Sequence, residues 1–398
     1  MFEDVKAAPP DAILGLTEAF KADTNPEKVN LGVGVYKDDS GQTPILDSVK
    51  AAEASLVESQ ASKSYMPIPG APEYAKAVQT LLFSGDHAVI DAARACTAHT
   101  PGGTGALRVG AEFLKKMNPD ASVWVSTPTW ANHKGVFGAA GFGIHDYAYY
   151  DAATKGLDFD AMLADLKKVP AGDVVLLHVC CHNPTGVDPT LEQWTAIAET
   201  AAAQGWIPFL DFAYQGFGVS VEEDRKPIAI MLEHVRELVI ASSFSKNVGL
   251  YQDRTGALTI VAADSGQASA AFSHVKTTIR VNYSNPPAHG GLVVATIMGD
   301  EGLRTQWDGE LAAMRERIHS VRQQLVDGLS ARGIEMDFSF ITAQKGMFSF
   351  SGLSDEQVAF LRDSKGIYIV KGGRINVAGI TSSNIDYLCD SLAEALRA

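Results

Sequence analysis

Through the middle of the chain, short and nearly continuous apolar runs alternate with amphipathic stretches, and this alternation leaves few architectures open. Ser122–Ser126 (SVWVS), Asp173–Cys181 (DVVLLHVCC), Trp206–Asp211 (WIPFLD), Leu238–Ser242 (LVIAS) and Gly256–Val261 (GALTIV) read as strands. Between them, stretches such as Leu191–Gln204 carry apolar residues at helical spacing. Strands apolar on both faces and separated by helices predict an α/β fold with a mostly parallel sheet covered on both sides. Asp300–Arg332 is different: charged, free of proline and helical in period, it predicts one or two long helices. Beyond it, strand signals at 337–342, 346–351 and 374–377 and helices near 355–365 and 384–396 predict a smaller α+β domain. The stretch up to Thr43 has no sheet signal of its own. The expected division is an N-terminal arm over 1–43 that is part of the small domain, a large domain over 44–303 and the rest of the small domain over 304–398.

With 398 residues, 46% of them hydrophobic, the chain can bury more than one core. The balance of 33 basic against 47 acidic residues gives a net charge of -14, which excludes bulk attraction to nucleic acid or anionic membrane. The apolar runs are too short to span a bilayer. Met1–Pro10 carries acidic residues and no apolar core, so no secretory signal is expected there and the expected location is the cytoplasm. Cys96, Cys180, Cys181 and Cys389 form no disulfide framework and no CxxC pair, which fits a reducing compartment.

Several segments could carry chemistry. Lys246 follows an apolar strand within Ser242-Ser243-Phe244-Ser245-Lys246-Asn247. Alone, it is most simply a solvated lysine. In a partly buried, cation-rich site it could instead be a Schiff-base lysine, whose amine must be neutral to attack a carbonyl. Ser243, Ser245 and Arg254 on the same segment are suited to a phosphate dianion. Thr100–Leu107 (TPGGTGAL) opens an amphipathic run. Glycines followed by a helix make an anion site of backbone N–H groups, to which Thr104 adds a hydroxyl. The stretch is neither a Walker loop nor a dinucleotide fingerprint. Asp211 ends a strand where α/β sheets bind ligands, and its carboxylate could hold a pyridine nitrogen protonated. An ordinary helix cap is the plainer alternative. Asn183 in the turn His182–Gly186 could bond a cofactor hydroxyl, and Trp130 near a strand end could stack on a planar ring. His178, Cys180 and His182 alternate along one strand, but strand spacing converges ligands poorly, so no metal is expected. Arg280 and Arg374 stand beside turn residues, and each offers a fork for a carboxylate.

Together these segments resemble one family, the class I aminotransferases, and within it the aspartate/aromatic aminotransferases. LGVGVYK (31–37), TPGGTGAL, CCHNPTG, DFAYQGF, SKN with the following Arg254, YSNPPAHG and GRINVAG occur in the family's order over nearly the whole chain. The resemblance implies a fold type I enzyme using pyridoxal 5′-phosphate. By this likeness Lys246 is the cofactor-bearing lysine and catalytic base. Asp211 partners the pyridine nitrogen with His133 behind it, and Asn183 and Tyr214 bond the phenolic oxygen. Gly103, Thr104, Ser243, Ser245 and Arg254 cradle the phosphate, joined by Tyr65 from a neighbouring subunit, and Trp130 stacks on the ring. Arg374 clamps the substrate α-carboxylate, Arg280 clamps a distal carboxylate across a homodimer interface, and Gly34 lies on a segment closing over substrate. Val248, Gln252-Asp253 and Gly372 depart from the usual pattern without touching a residue given a role.

Two arginine forks imply a dicarboxylate, so the expected reaction is ping-pong transfer from aspartate to 2-oxoglutarate. The expected partners are thus amino acids and 2-oxo acids. A dual-specificity aromatic aminotransferase is the alternative. A non-catalytic protein binding a phosphorylated ligand is the alternative of another class, disfavoured because such a protein needs neither Lys246 nor Asp211.

Overall fold

The computed structural model describes residues 2–7 and 14–397; Met1 and residues 8–10 of the N-terminal stretch considered above lie outside the described residues. The chain divides into two compact units, Pro44–Glu316 and, discontinuously, Met1–Thr43 with Arg317–Ala398. The anticipated break at 303/304 falls instead inside one long helix, Glu301–Ala331. That helix is continuous because nothing in its sequence breaks it, and the larger unit retains its residues up to Glu316.

In the larger unit, the described residues form a seven-stranded sheet. Its strands are β1 (Ala95–Pro101), β2 (Ser122–Thr127), β3 (Gly143–Ala148), β4 (Val174–His178), β5 (Ile207–Phe212), β6 (Leu238–Ser243) and β7 (Thr255–Val261). The spatial order is β1-β7-β6-β5-β4-β2-β3. Pairing is parallel except for β7, which runs antiparallel to both β1 and β6. Sequence periodicity alone cannot assign that reversal, because GALTIV is as apolar as its parallel neighbours. Two strands, β1 and β3, escape the hydropathy reading. The sequence of β1 is ACTAHTP, with buried Thr97, His99 and Thr100, and β3 (GIHDYA) is a partly polar edge strand. The run read as a strand to Cys181 stops at His178. There the Asp188 carboxylate accepts from the Cys181 and His182 amides at 2.7 and 2.9 Å, and Cys181 takes a positive φ of 53°.

Helix α1 (Gly102–Met117) packs its apolar face on the sheet through Val109 and Phe113, joining Phe137, Phe209 and Leu258 in one core. Helix Leu191–Gln204 begins in a reciprocal Thr190–Gln193 capping box and ends at left-handed Gly205. The helices α2 (Ser265–Asn282) and α3 (Glu301–Ala331) follow the sheet.

The smaller unit contains a two-stranded antiparallel ribbon of β8 (Phe348–Phe350) and β9 (Arg374–Asn376), with helices Asp355–Lys365 and Ile385–Arg397. The anticipated strand at 337–342 is instead a turn and a short helix, Phe340–Ala343, started where the Asp337 carboxylate accepts from the Ser339 amide. The N-terminal stretch does pair, through Val29–Asn30 beside Ile367–Tyr368. No helix among the described residues is long and apolar enough to cross a membrane.

Candidate active site

The parallel strands end along one edge of the sheet, and the chemistry-bearing residues of the larger unit gather there. Asp211 lies in β5 and pairs in register with His178 of β4. The carboxylate is 8% exposed, and His133, from helix Asn132–Ala139, is fully buried against it. An ionised carboxylate only accepts, so His133 Nε2–H donates to Asp211 Oδ2, at 2.9 Å. The other ring nitrogen of His133 lies 2.8 Å from the Thr129 hydroxyl. Burial pushes the Asp211 carboxyl up, but its bond to His133 and the fields of His133, His178 and Lys246 outweigh burial and hold it below the usual range. The result is a desolvated carboxylate that stays negative, which is the group needed opposite a cationic ring nitrogen.

His178 is a residue that strand periodicity treats as core. Its Nε2 is buried without a hydrogen-bond partner among the described residues. Burial, with a lesser contribution from His133, pushes its pKa down to about 3. Beyond it, His182 bonds Ser126 at 2.9 Å and Thr185 at 2.8 Å, and its ring stacks on Tyr149 at 3.9 Å. The only sequence signal for this layer was the histidine spacing. Among the described residues, the His178, Cys180 and His182 grouping does not converge. A different set does: His133, His178 and Asp211 bring one ligand atom each within 4.8 Å of one another. For all three to bind one ion, His133 would first have to lose the proton it donates to Asp211.

Lys246 follows β6 and is half-buried, its Nζ 4.7 Å from the centroid of the Tyr214 ring. Tyr214 and Asn183 are both buried at the same strand ends. Trp130, after β2, is half-buried and stands edge-on to His133 with centroids 5.2 Å apart.

The N-terminus of α1 forms the second half of the site. Gly102 has φ +72°, and a Cβ on it would lie 2.4 Å from an Arg254 guanidinium nitrogen. A Cβ on Gly256 would come within 2.3 Å of the Gly102 backbone, so β7 reaches the helix start only as glycine. A Cβ on Gly103 would meet Ser243 Cβ at 3.0 Å, and the Ser243 hydroxyl bonds that of Ser245 at 3.2 Å. Helix N–H groups, two hydroxyls and a guanidinium therefore face one small volume, beside which Thr104 opens the helix. Such a donor set could hold a dianion.

Tyr65, at 93% exposed, does not join this cluster within one chain. Arg280 is exposed at the end of α2, where it bonds the Ser284 hydroxyl. In the smaller unit, Arg374 is 5% exposed and donates from Nη2 to Gly32 O at 2.6 Å. Its guanidinium lies 4.3 Å from the centroid of the Phe348 ring, and the same ring would come within 2.8 Å of a Cβ on Gly34. Phe348 was not singled out in the sequence.

The aminotransferase class I and II family model matches residues 26–392. The chain belongs to the class I and II aminotransferases. It is 54% identical over 396 residues to the aspartate aminotransferases of Salmonella typhi and Escherichia coli K12, each alignment covering 100% of both chains. The aromatic-amino-acid aminotransferase of Burkholderia pseudomallei, solved covalently bound to pyridoxal phosphate, superposes with a TM-score of 0.97 at 48% identity, covering 100% of this chain and 99% of that one. The α/β architecture and reversed β7 thus belong to an aminotransferase.

The buried histidine gives this aminotransferase a pH signature. Unfolded, His178 takes up a proton below its ordinary value of 6.5; folded, it stays neutral until about pH 3. Acid therefore favours the unfolded chain throughout that window. We expect His178→Gln to reduce the slope of unfolding free energy against pH by about 1.4 kcal/mol per pH unit between roughly pH 6 and 4. Urea unfolding across that range measures it, and an unchanged slope would contradict a neutral buried His178.

Proposed function

We propose that this aminotransferase uses pyridoxal 5′-phosphate to move the amino group of aspartate to 2-oxoglutarate, yielding oxaloacetate and glutamate in two half-reactions. The observation that carries the reading is the pairing of Lys246 with a buried, ionised Asp211 beside a dianion cradle on one sheet edge. The donor set fits the cofactor: the cradle suits its phosphate, and Asp211 suits its ring nitrogen. Gly103, Thr104, Ser243, Ser245 and Arg254 would hold the phosphate. Asn183 and Tyr214 would bond the ring oxygen, and Trp130 would cover the ring face. When bound, the cofactor supplies an aldehyde for amines and a protonated ring that withdraws electrons from the substrate Cα.

The remaining work falls to side chains of this protein. Lys246 Nζ would hold the cofactor and would accept and return the proton that leaves the substrate Cα. Asp211, kept ionised by its bond to His133, would keep the cofactor's ring nitrogen protonated. Arg374 takes the substrate α-carboxylate in a two-pronged contact, and Arg280 takes the distal carboxylate. Gly34 lies on the segment that closes over substrate.

Aspartate as substrate is supported by full-length relatives at 54% identity that carry that name. A dual aromatic specificity is favoured by the 48%-identical Burkholderia pseudomallei protein. Two exposed residues, Tyr65 and Arg280, support a homodimer in which each copy completes the other's site. Residence in the cytoplasm is part of the same reading, supported by four free cysteines.

Three outcomes follow. The purified protein with pyridoxal phosphate should be visibly coloured, and borohydride should fix the cofactor to Lys246. Lys246→Ala should lose that adduct and about 10⁴-fold or more in kcat/KM, whereas a wild-type protein that takes up no cofactor would falsify the reading. Arg280→Ala should lower kcat/KM for aspartate by about 10²-fold while changing phenylalanine little; near-equal wild-type values for the two would sink the narrow aspartate assignment. Mixing inactive Lys246→Ala with the impaired Arg280→Ala should raise aspartate activity above that of Arg280→Ala alone through hybrid dimers, and no rise would argue against shared sites.

A further inference from the structure

Arg322 projects from α3 into the interior of the smaller unit and is 1% exposed. Burying a guanidinium costs stability unless its donors are met. Here Nη1 donates to Ile341 O at 2.9 Å and to the Ser349 hydroxyl, while Nη2 donates to Gly346 O at 2.8 Å and Phe348 O at 2.6 Å. All four acceptors lie on one short stretch that ends in β8.

That strand needs support. It pairs with β9 over three residues, Phe348 opposite Asn376, Ser349 opposite Ile375 and Phe350 opposite Arg374. A two-stranded ribbon of this length is marginal by itself. Side chains alternate across a strand, so Ser349 faces Arg322 while Phe348 and Arg374 share the opposite face. On that face, the Phe348 ring supports the Arg374 guanidinium and fills the space beside Gly34. Asn376 Nδ2 also donates to Val33 O at 2.7 Å and Val35 O at 2.8 Å, tying the segment around Gly34 to the same ribbon.

We propose that Arg322 is a positioning residue for substrate binding: it grips the ribbon from behind, so that Phe348 holds the Arg374 fork in the plane a carboxylate requires. This rests on the reading of Arg374 as the α-carboxylate clamp. A two-pronged guanidinium–carboxylate contact is demanding in angle, and small displacements cost much of its affinity. Every substrate of the reaction carries an α-carboxylate, so a displaced Arg374 weakens all of them by the same factor. Loss of Arg280 is selective for dicarboxylates, and a general loss of folded enzyme lowers kcat without moving KM.

The test compares Arg322→Gln, Ser349→Ala and Arg374→Ala as cofactor-loaded full-length enzymes. Steady-state kinetics with aspartate and with phenylalanine are combined with calorimetric binding of maleate, a dicarboxylate without an amino group. Arg322→Gln should raise both KM values by a similar factor of about ten or more and weaken maleate alongside them, with kcat falling less than about threefold and cofactor absorbance unchanged. Ser349→Ala, which removes one acceptor and keeps the arginine, should move KM the same way by about two- to threefold. The proposal is overturned if Arg322→Gln loads cofactor normally yet keeps KM and maleate affinity within twofold of wild type, or if only aspartate is affected. Should Arg322→Gln fail to fold, Ser349→Ala decides, and an unmoved KM there overturns the proposal. Arg374→Ala separates the two layers: if it also leaves KM unmoved, the clamp reading fails rather than the role of Arg322.

Discussion

The larger unit depends on keeping one carboxylate charged where there is almost no water. Burial alone would push the Asp211 carboxyl towards its protonated form. The bond from His133 prevents this, and sheet order assembles the surrounding residues. Parallel pairing of β4 with β5 sets His178 beside Asp211 in register. The helix after β2 delivers His133 to the same point, its orientation fixed by Thr129. The cost is a buried, neutral imidazole at His178, which acid destabilises.

The anion sites proposed for the two units are built by different means. In the larger one, the proposed phosphate cradle rests on a helix start and on glycines whose missing side chains let β7, α1 and Arg254 come together. Such a site is as rigid as the sheet that carries it. In the smaller one, the proposed carboxylate clamp, Arg374, stands on a three-residue strand that side chains stiffen. Phe348 supports it on one face and Arg322 grips the ribbon from the other, while Gly34 is small enough to lie against the same phenyl ring.

Much of this was legible in the residues. Apolar runs located β2, β4, β5, β6 and β7, and the resemblance to the class I aminotransferases implied one site for Lys246, Asp211, Asn183, Ser243 and Gly103. What escaped had physical causes. The threonines and histidine of β1 hide a buried strand from a hydropathy scale. The direction of β7 leaves no trace in its composition. The break at His178 is set by the Asp188 carboxylate several residues on. His178, Phe348 and Arg322 act through partners distant in sequence, which no local pattern records. Tyr65 and Arg280 were named in the sequence, but within one chain both remain exposed.

The reversal of β7 has a consequence for how the chain tolerates change in length. Elsewhere in the sheet, successive strands are joined by connections that include helices, and these can lengthen away from the chemistry. Between Ser243 and Thr255, the chain leaves β6 and enters β7 at the same edge, so one short loop carries both Lys246 and Arg254. The lysine and the Arg254 guanidinium are in effect two marks on one ruler. An insertion there would shift one against the other, and natural variation in length should collect in the helical crossovers rather than in this loop.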